Sequence, residues 1–165
     1  MEDKRLAETE VGRAVGVLRE LNEKMGRIMT AKGNPDRGGY FVLSDDIVPP
    51  ARYFRTVSRT GAATEEFEGY RLYAEEKAAR LLVNHRDHAT SWQSRDEANH
   101  KYGGAIRVRF SGIGLILSFS GYAESCDEAL MLALAMKMGW LDHHAAIDLA
   151  TNGEVVSNFF KLFEV

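Results

Sequence analysis

The chain has 165 residues, 45% of them hydrophobic and 27% charged, and a net charge of −3. That is the composition of an ordinary globular protein, long enough for one domain with a sizeable core, and its charge balance points to no nucleic-acid or anionic-membrane partner. No apolar run approaches the roughly 18 residues that cross a bilayer, and the acidic start, MEDKRLAETE, lacks the apolar core of a signal peptide. The one cysteine, Cys126, excludes an internal disulfide and a cysteine-based zinc cluster, so the cytoplasm is the expected compartment.

Taken in chain order, residues 3–30 carry apolar side chains three and four apart (Val11, Ala14, Val15, Leu18, Leu21, Met25), which predicts an amphipathic helix. Gly33-Asn34-Pro35 ends it. A short strand over 39–44 follows, then Asp45-Asp46 and an extended Val48-Pro49-Pro50 segment suited to a crossing loop or sheet edge. The aromatic and β-branched run 52–58 (RYFRTVS) predicts a second strand.

Thr64 is the expected cap of a helix running to about Asn84, with Phe67, Tyr70, Ala74, Ala78 and Leu81 as its buried stripe, reaching His85 and His88 if the helix continues. Ser94 and Glu97 have the spacing of a capping box for a short helix. In 106–110, Ile106, Val108 and Phe110 alternate with Arg107 and Arg109, giving a strand with one apolar and one cationic face. Ser111-Gly112 predicts a tight hairpin, and the return strand 113–120 is apolar on both faces, which suits a central position.

Ser125-x-x-Glu128 has the pattern of a capping box opening a helix to about Met138. That helix has no polar face before Lys137, so it must be covered on both sides, and a second subunit is one source of cover; a homo-oligomer is therefore expected. The tail offers a helix capped by Asp142, an Asn152-Gly153 turn and a segment whose three phenylalanines should dock on the core or on a partner.

Paired strands separated by helices indicate an α+β fold, an antiparallel sheet flanked by helices. The expected organisation is one domain over 1–165: an N-terminal helix (1–33), a sheet-and-helix core (39–140) and a helical tail (141–165).

His85 and His88, three apart, would face the same way on a helix end and could coordinate a metal or a heme iron. Their alternative role is that of interior histidines bonded to backbone. Arg107 and Arg109 could hold the carboxylates of a ligand, or form a solvated sheet face. Asp127 and Glu128 are accounted for by capping and the helix dipole. No Ser-His-Asp order, phosphate-cradling loop or nucleotide fingerprint is present, so no catalytic residue is assigned.

Gly103-Gly104, Ile106, Gly112, Ser120-Gly121 and Asp127-Glu128 together resemble the GlcG/HbpS-like family, whose members include heme-degrading-domain and heme-binding proteins. Tyr73 and Lys77, four apart, and Thr90-Ser91 also fit one branch of it. Tyr102 replaces one glycine of the family's cluster, and Glu128 stands where that branch carries histidine. The resemblance implies a profilin-like α/β/α sandwich, oligomeric assembly and binding of heme or a related tetrapyrrole, with Lys77, Ser91, Gly103 and Gly104 near the ligand. The function expected is small-ligand binding; the alternative is a non-enzymatic oligomeric interaction or scaffold protein without cofactor.

Overall fold

The structure, a computed structural model, describes residues 8–31, 38–47, 50–58, 69–84 and 86–163. The elements in order are α1 (Glu8–Ala31), β1 (Gly38–Asp45), β2 (Arg52–Ser58), α2 (Arg71–Ala79), β3 (Ala105–Phe110), β4 (Ile113–Ser120), α3 (Glu124–Lys137), α4 (His143–Leu149) and α5 (Gly153–Lys161). The four strands form one antiparallel sheet in the order β2-β1-β4-β3. This is the expected α+β fold, made of two hairpins joined by the β1–β4 pairing.

Alternation along the strands decides which helices cover which face. Phe41 and Leu43 of β1, Leu115, Leu117 and Phe119 of β4, and Ile106 and Val108 of β3 join α1, α3 and the tail in one apolar cluster. Their neighbours Tyr40, Val42, Ile116 and Ala105 pack on the opposite face against Ala74, Ala78, Leu81 and Leu82. Helices therefore lie on both faces of the sheet. β4 is central, as its two-sided apolar run predicts, and β1 is buried along its whole length between β2 and β4. The β3–β4 turn falls at Ser111-Gly112, both with positive φ (52° and 77°), and pairs Phe110 with Ile113.

Several local expectations are corrected by contacts distant in sequence. The helix after β2 is described only from a 3₁₀ turn at 69–70, so Thr64 and Phe67 lie outside the described residues. It does not run through His88; α2 passes into a π-helical turn at Arg80–Asn84 and ends. The Ser94/Glu97 box does not form: two short 3₁₀ helices stand here, Ser91–Ser94, where the Gln93 side chain reaches back to accept from the Thr90 and Ala89 amides, and Glu97–Asn99 after Asp96.

The Ser125/Glu128 box does not form either. α3 begins at Glu124 after Ala123; Ser125 Oγ accepts from Asn158 of α5, and Glu128 accepts from the Thr151 amide and hydroxyl at 2.9 and 2.6 Å.

α3 is apolar all round because it is buried all round within one chain. The sheet covers one side, and α1, α4 and α5 cover the other. The argument for a second subunit as cover thus loses its premise. Asp142 caps α4 as expected, accepting from the Ala145 amide at 2.7 Å, and Asn152 does the same for α5. Val155 and Phe159 of α5 and Leu162 just after it are buried, so the tail docks on the core, but of its three phenylalanines only Phe159 is buried, Phe163 is half-buried and Phe160 is exposed.

Candidate functional site

Lys77 lies on the inner face of α2, three residues from Ala74 and one turn before Leu81, and its chain runs past the end of the sheet to the helix layer on the other side. There Nζ donates to the Phe119 carbonyl at 2.8 Å and to Asp127 Oδ2 of α3 at 3.3 Å. Both side chains are only 2% exposed. Asp127 is further held by the Tyr122 amide, which donates to Oδ1 at 2.9 Å.

Gly104 makes this passage open. Its φ of +123° disfavours any side chain, and a Cβ there would lie 2.7 Å from Lys77 Nζ and 2.9 Å from Asp127 Cβ. Gly103 answers a different neighbour: a Cβ would collide with the Trp92 ring.

A charge pair this deep is governed by desolvation. Burial pushes the Lys77 ammonium down from its ordinary value, opposed by the Asp127 charge. Burial also pushes the Asp127 carboxyl up to about 7, against the lowering influence of Lys77 and the Tyr122 amide. Burial thus works against the charged form of both partners, an arrangement more typical of sites than of surface ion pairs.

The pair forms the floor of a cavity of about 330 Å³ walled by Tyr70, Tyr73, Tyr102 and Tyr122. The Tyr73 and Tyr102 rings lie 5.7 Å apart. Tyr102 Oη is 3.3 Å from His100 Nδ1, and the Tyr122 hydroxyl donates to Asn22 of α1. At the rim, Glu124 receives Arg95 Nε at 2.7 Å and the Gly103 amide at 2.8 Å. Arg95 also reaches Glu97 at 3.4 Å, which leaves it neutralised rather than free to draw in an anion.

Of the residues the sequence singles out for a ligand, Lys77 alone lines this cavity, with Gly104 shaping its floor. Ser91 is buried, and its hydroxyl accepts from the Ala105 amide at 3.0 Å. His85 lies outside the described residues. His88 sits in the loop after the π turn and is not among the cavity-lining residues.

Arg107 is neither a ligand clasp nor part of a solvated face. Its guanidinium donates to the carbonyls of Leu81, Arg86 and His88, capping the end of the π turn, with Asp46 Oδ2 at 3.9 Å. Arg109 is exposed one pleat further along β3. Among the described residues no group of three or more His, Cys, Asp or Glu could hold a metal ion.

Replacing Arg107 by alanine removes the donors of three carbonyls at once. Arg107→Ala is expected to lower the unfolding free energy by about 2–3 kcal/mol, and Arg107→Lys to recover less than half of that, because an ammonium cannot reproduce the fork. Urea denaturation of the two variants checks it.

Sequence reasoning missed Asp127 as Lys77's partner and missed the tyrosine walls. Asp127 reads locally as a first-turn acid, and the apolar run that follows it announces burial without saying which residue it meets. Tyr73 and Lys77, four apart, and Tyr102 drew attention only through the family resemblance. Comparison with protein-family models, with curated proteins and with solved structures finds no match.

Proposed function

We propose that this chain is a small-ligand-binding protein and that its site is the tyrosine-walled cavity above the Lys77–Asp127 pair. One observation carries the reading: a concave space of about 330 Å³ lined by four phenol-bearing side chains and a buried charge pair. Sites for small organic molecules have this size and this mix of aromatic walls with a few placed polar groups. The ligand suited to it is planar and largely apolar.

Heme or a related tetrapyrrole is the member of that class implied by the family resemblance. The donor set that fits it here is phenolic: Tyr102 would hold the iron, with His100 Nδ1 3.3 Å from Oη to orient the hydroxyl, and Tyr73 beside it as an aromatic wall. Bound there, heme would supply a redox-active iron.

Titration with ferric heme is expected to give a Soret shift that survives His88→Ala and is lost or displaced in Tyr102→Phe. Absence of a shift in the wild-type protein removes heme as the ligand; an unchanged shift in Tyr102→Phe removes Tyr102 as the iron's partner.

A separate observation favours assembly as a second reading. Leu72 and Val83, 76% and 65% exposed, lie on the outer side of α2 and its π extension, an apolar surface that a second copy would cover. Light scattering of the wild-type protein and of Leu72→Glu tests this homo-oligomer, and a monomer in both eliminates it. No described helix is long and apolar enough to cross a membrane. With its free cysteine buried, we assign the protein to the cytoplasm.

A further inference from the structure

We infer that the cavity captures carbonyl compounds, aromatic aldehydes in the first instance, by forming an imine on Lys77 with Asp127 as the proton carrier. The inference rests on the reading of this cavity as a ligand site and goes beyond it by naming the reactive atom. An imine-forming lysine has to be available as the free amine inside a water-poor pocket, next to a group that both takes and returns a proton.

The geometry supplies each part. Lys77 Nζ lies at the cavity floor 3.3 Å from Asp127 Oδ2, held in place by the Phe119 carbonyl. The charged groups acting on it are Asp127 and Glu124 of α3, which favour the ammonium, and Arg80, which opposes it. Burial outweighs them and lowers the ammonium's pKa below its ordinary value. Tyr73 and Tyr102 wall the space above, where an aromatic ring attached to the carbonyl would stack.

The step balances without an added reagent. Lys77 passes a proton to Asp127, and its lone pair forms a C–N bond at the carbonyl carbon as the C=O electron pair moves to oxygen. A second nitrogen proton follows through Asp127, the oxygen leaves as water with both, and the C=N bond forms. A protonated imine and the Asp127 carboxylate remain, and nothing is oxidised or reduced.

Lys77 also ties α2 to α3, so loss of folding in a Lys77 variant would say nothing about chemistry. The test therefore uses the wild-type chain. Incubation at neutral pH with 4-hydroxybenzaldehyde and cyanoborohydride, followed by peptide mass mapping, measures the reductive labelling rate at each lysine. Binding of 4-methylphenol, which has the ring without the carbonyl, is followed in parallel by the NMR shifts of the Tyr73 and Tyr102 rings.

Lys77 is expected to be labelled at least about tenfold faster than the exposed Lys101 and Lys137, which is within what a positioned proton carrier contributes. Asp127→Asn should slow labelling at Lys77 by a similar factor, with labelling at Lys101 unchanged. If 4-methylphenol binds but Lys77 is labelled no faster than Lys101, imine capture is overturned and the cavity keeps its role. If neither probe engages the cavity, both readings fall.

Discussion

Gly104→Ala is expected to lower the unfolding free energy by about 2–6 kcal/mol, a large share of the stability of a domain this size. Two costs add. The backbone at φ +123° is strained for any residue with a side chain, which costs roughly 1–3 kcal/mol. The new methyl group would lie 2.7 Å from Lys77 Nζ, 2.9 Å from Asp127 Cβ and 3.0 Å from the Phe119 carbonyl oxygen. Lys77 is flexible, but Asp127 Cβ and the Phe119 carbonyl belong to α3 and a central strand and have nowhere to move, so overpacking adds a further 1–3 kcal/mol or so.

Gly112→Ala separates the two contributions. Gly112 also has positive φ, 77°, but nothing lies within 4 Å of its absent Cβ, so it should show the backbone cost alone, about 1 kcal/mol. Urea denaturation of both variants gives the comparison. Equal losses at the two positions would mean that the Lys77 passage has room for a methyl group and that Gly104 matters only for its backbone.

The second large effect is on pH dependence. Burial pushes the Asp127 carboxyl up to about 7 in the folded chain, against its ordinary 3.8 when exposed. Between those limits the folded chain holds a proton that the unfolded chain has released, so unfolding releases a proton and stability falls as pH rises. The slope approaches about 1.4 kcal/mol per pH unit in the middle of the window. Glu76 and Glu128, also raised by burial, act in the same direction. Lys77 acts the other way: its folded value is lowered, so its contribution grows with pH from that value up to the exposed 10.5.

Asp127→Asn isolates the carboxyl. The stability difference, wild type minus variant, is expected to shrink from pH about 4 to pH about 7 and to level off beyond. A difference that is flat over this range would show that Asp127 is ionised throughout, as in an ordinary ion pair, and would remove the shared proton that imine chemistry on Lys77 needs.

The local architecture was readable from residues a few positions apart. Alternation of Ile106 and Val108 with Arg107 and Arg109 defines β3, Ser111-Gly112 defines its turn, and an unbroken apolar run marks β4 as central. The apolar stripe of α1 likewise announces which side is buried, whereas of the three tail phenylalanines only Phe159 is buried. Lys77 and Tyr73 stand out in the sequence only through the family resemblance, since neither falls on the apolar stripe that periodicity marks in that helix.

What the tertiary structure decided is who meets whom across the sheet. Asp127 is 50 residues from Lys77, and its helical position alone fits a solvated cap as well as a buried partner. Ser125 and Glu128 have the spacing of a capping box, yet α5 and the loop at Thr151 claim their side chains instead. Arg107, one of two similar arginines on a strand, becomes the cap of a π turn because that turn ends beside it, while Arg109 remains in solvent. Periodicity and turn chemistry are properties of neighbouring residues and survive in the sequence. A buried charge acquires its role only when folding removes its water and supplies a partner from elsewhere in the chain, and the Lys77–Asp127 pair is the case on which the proposed function depends.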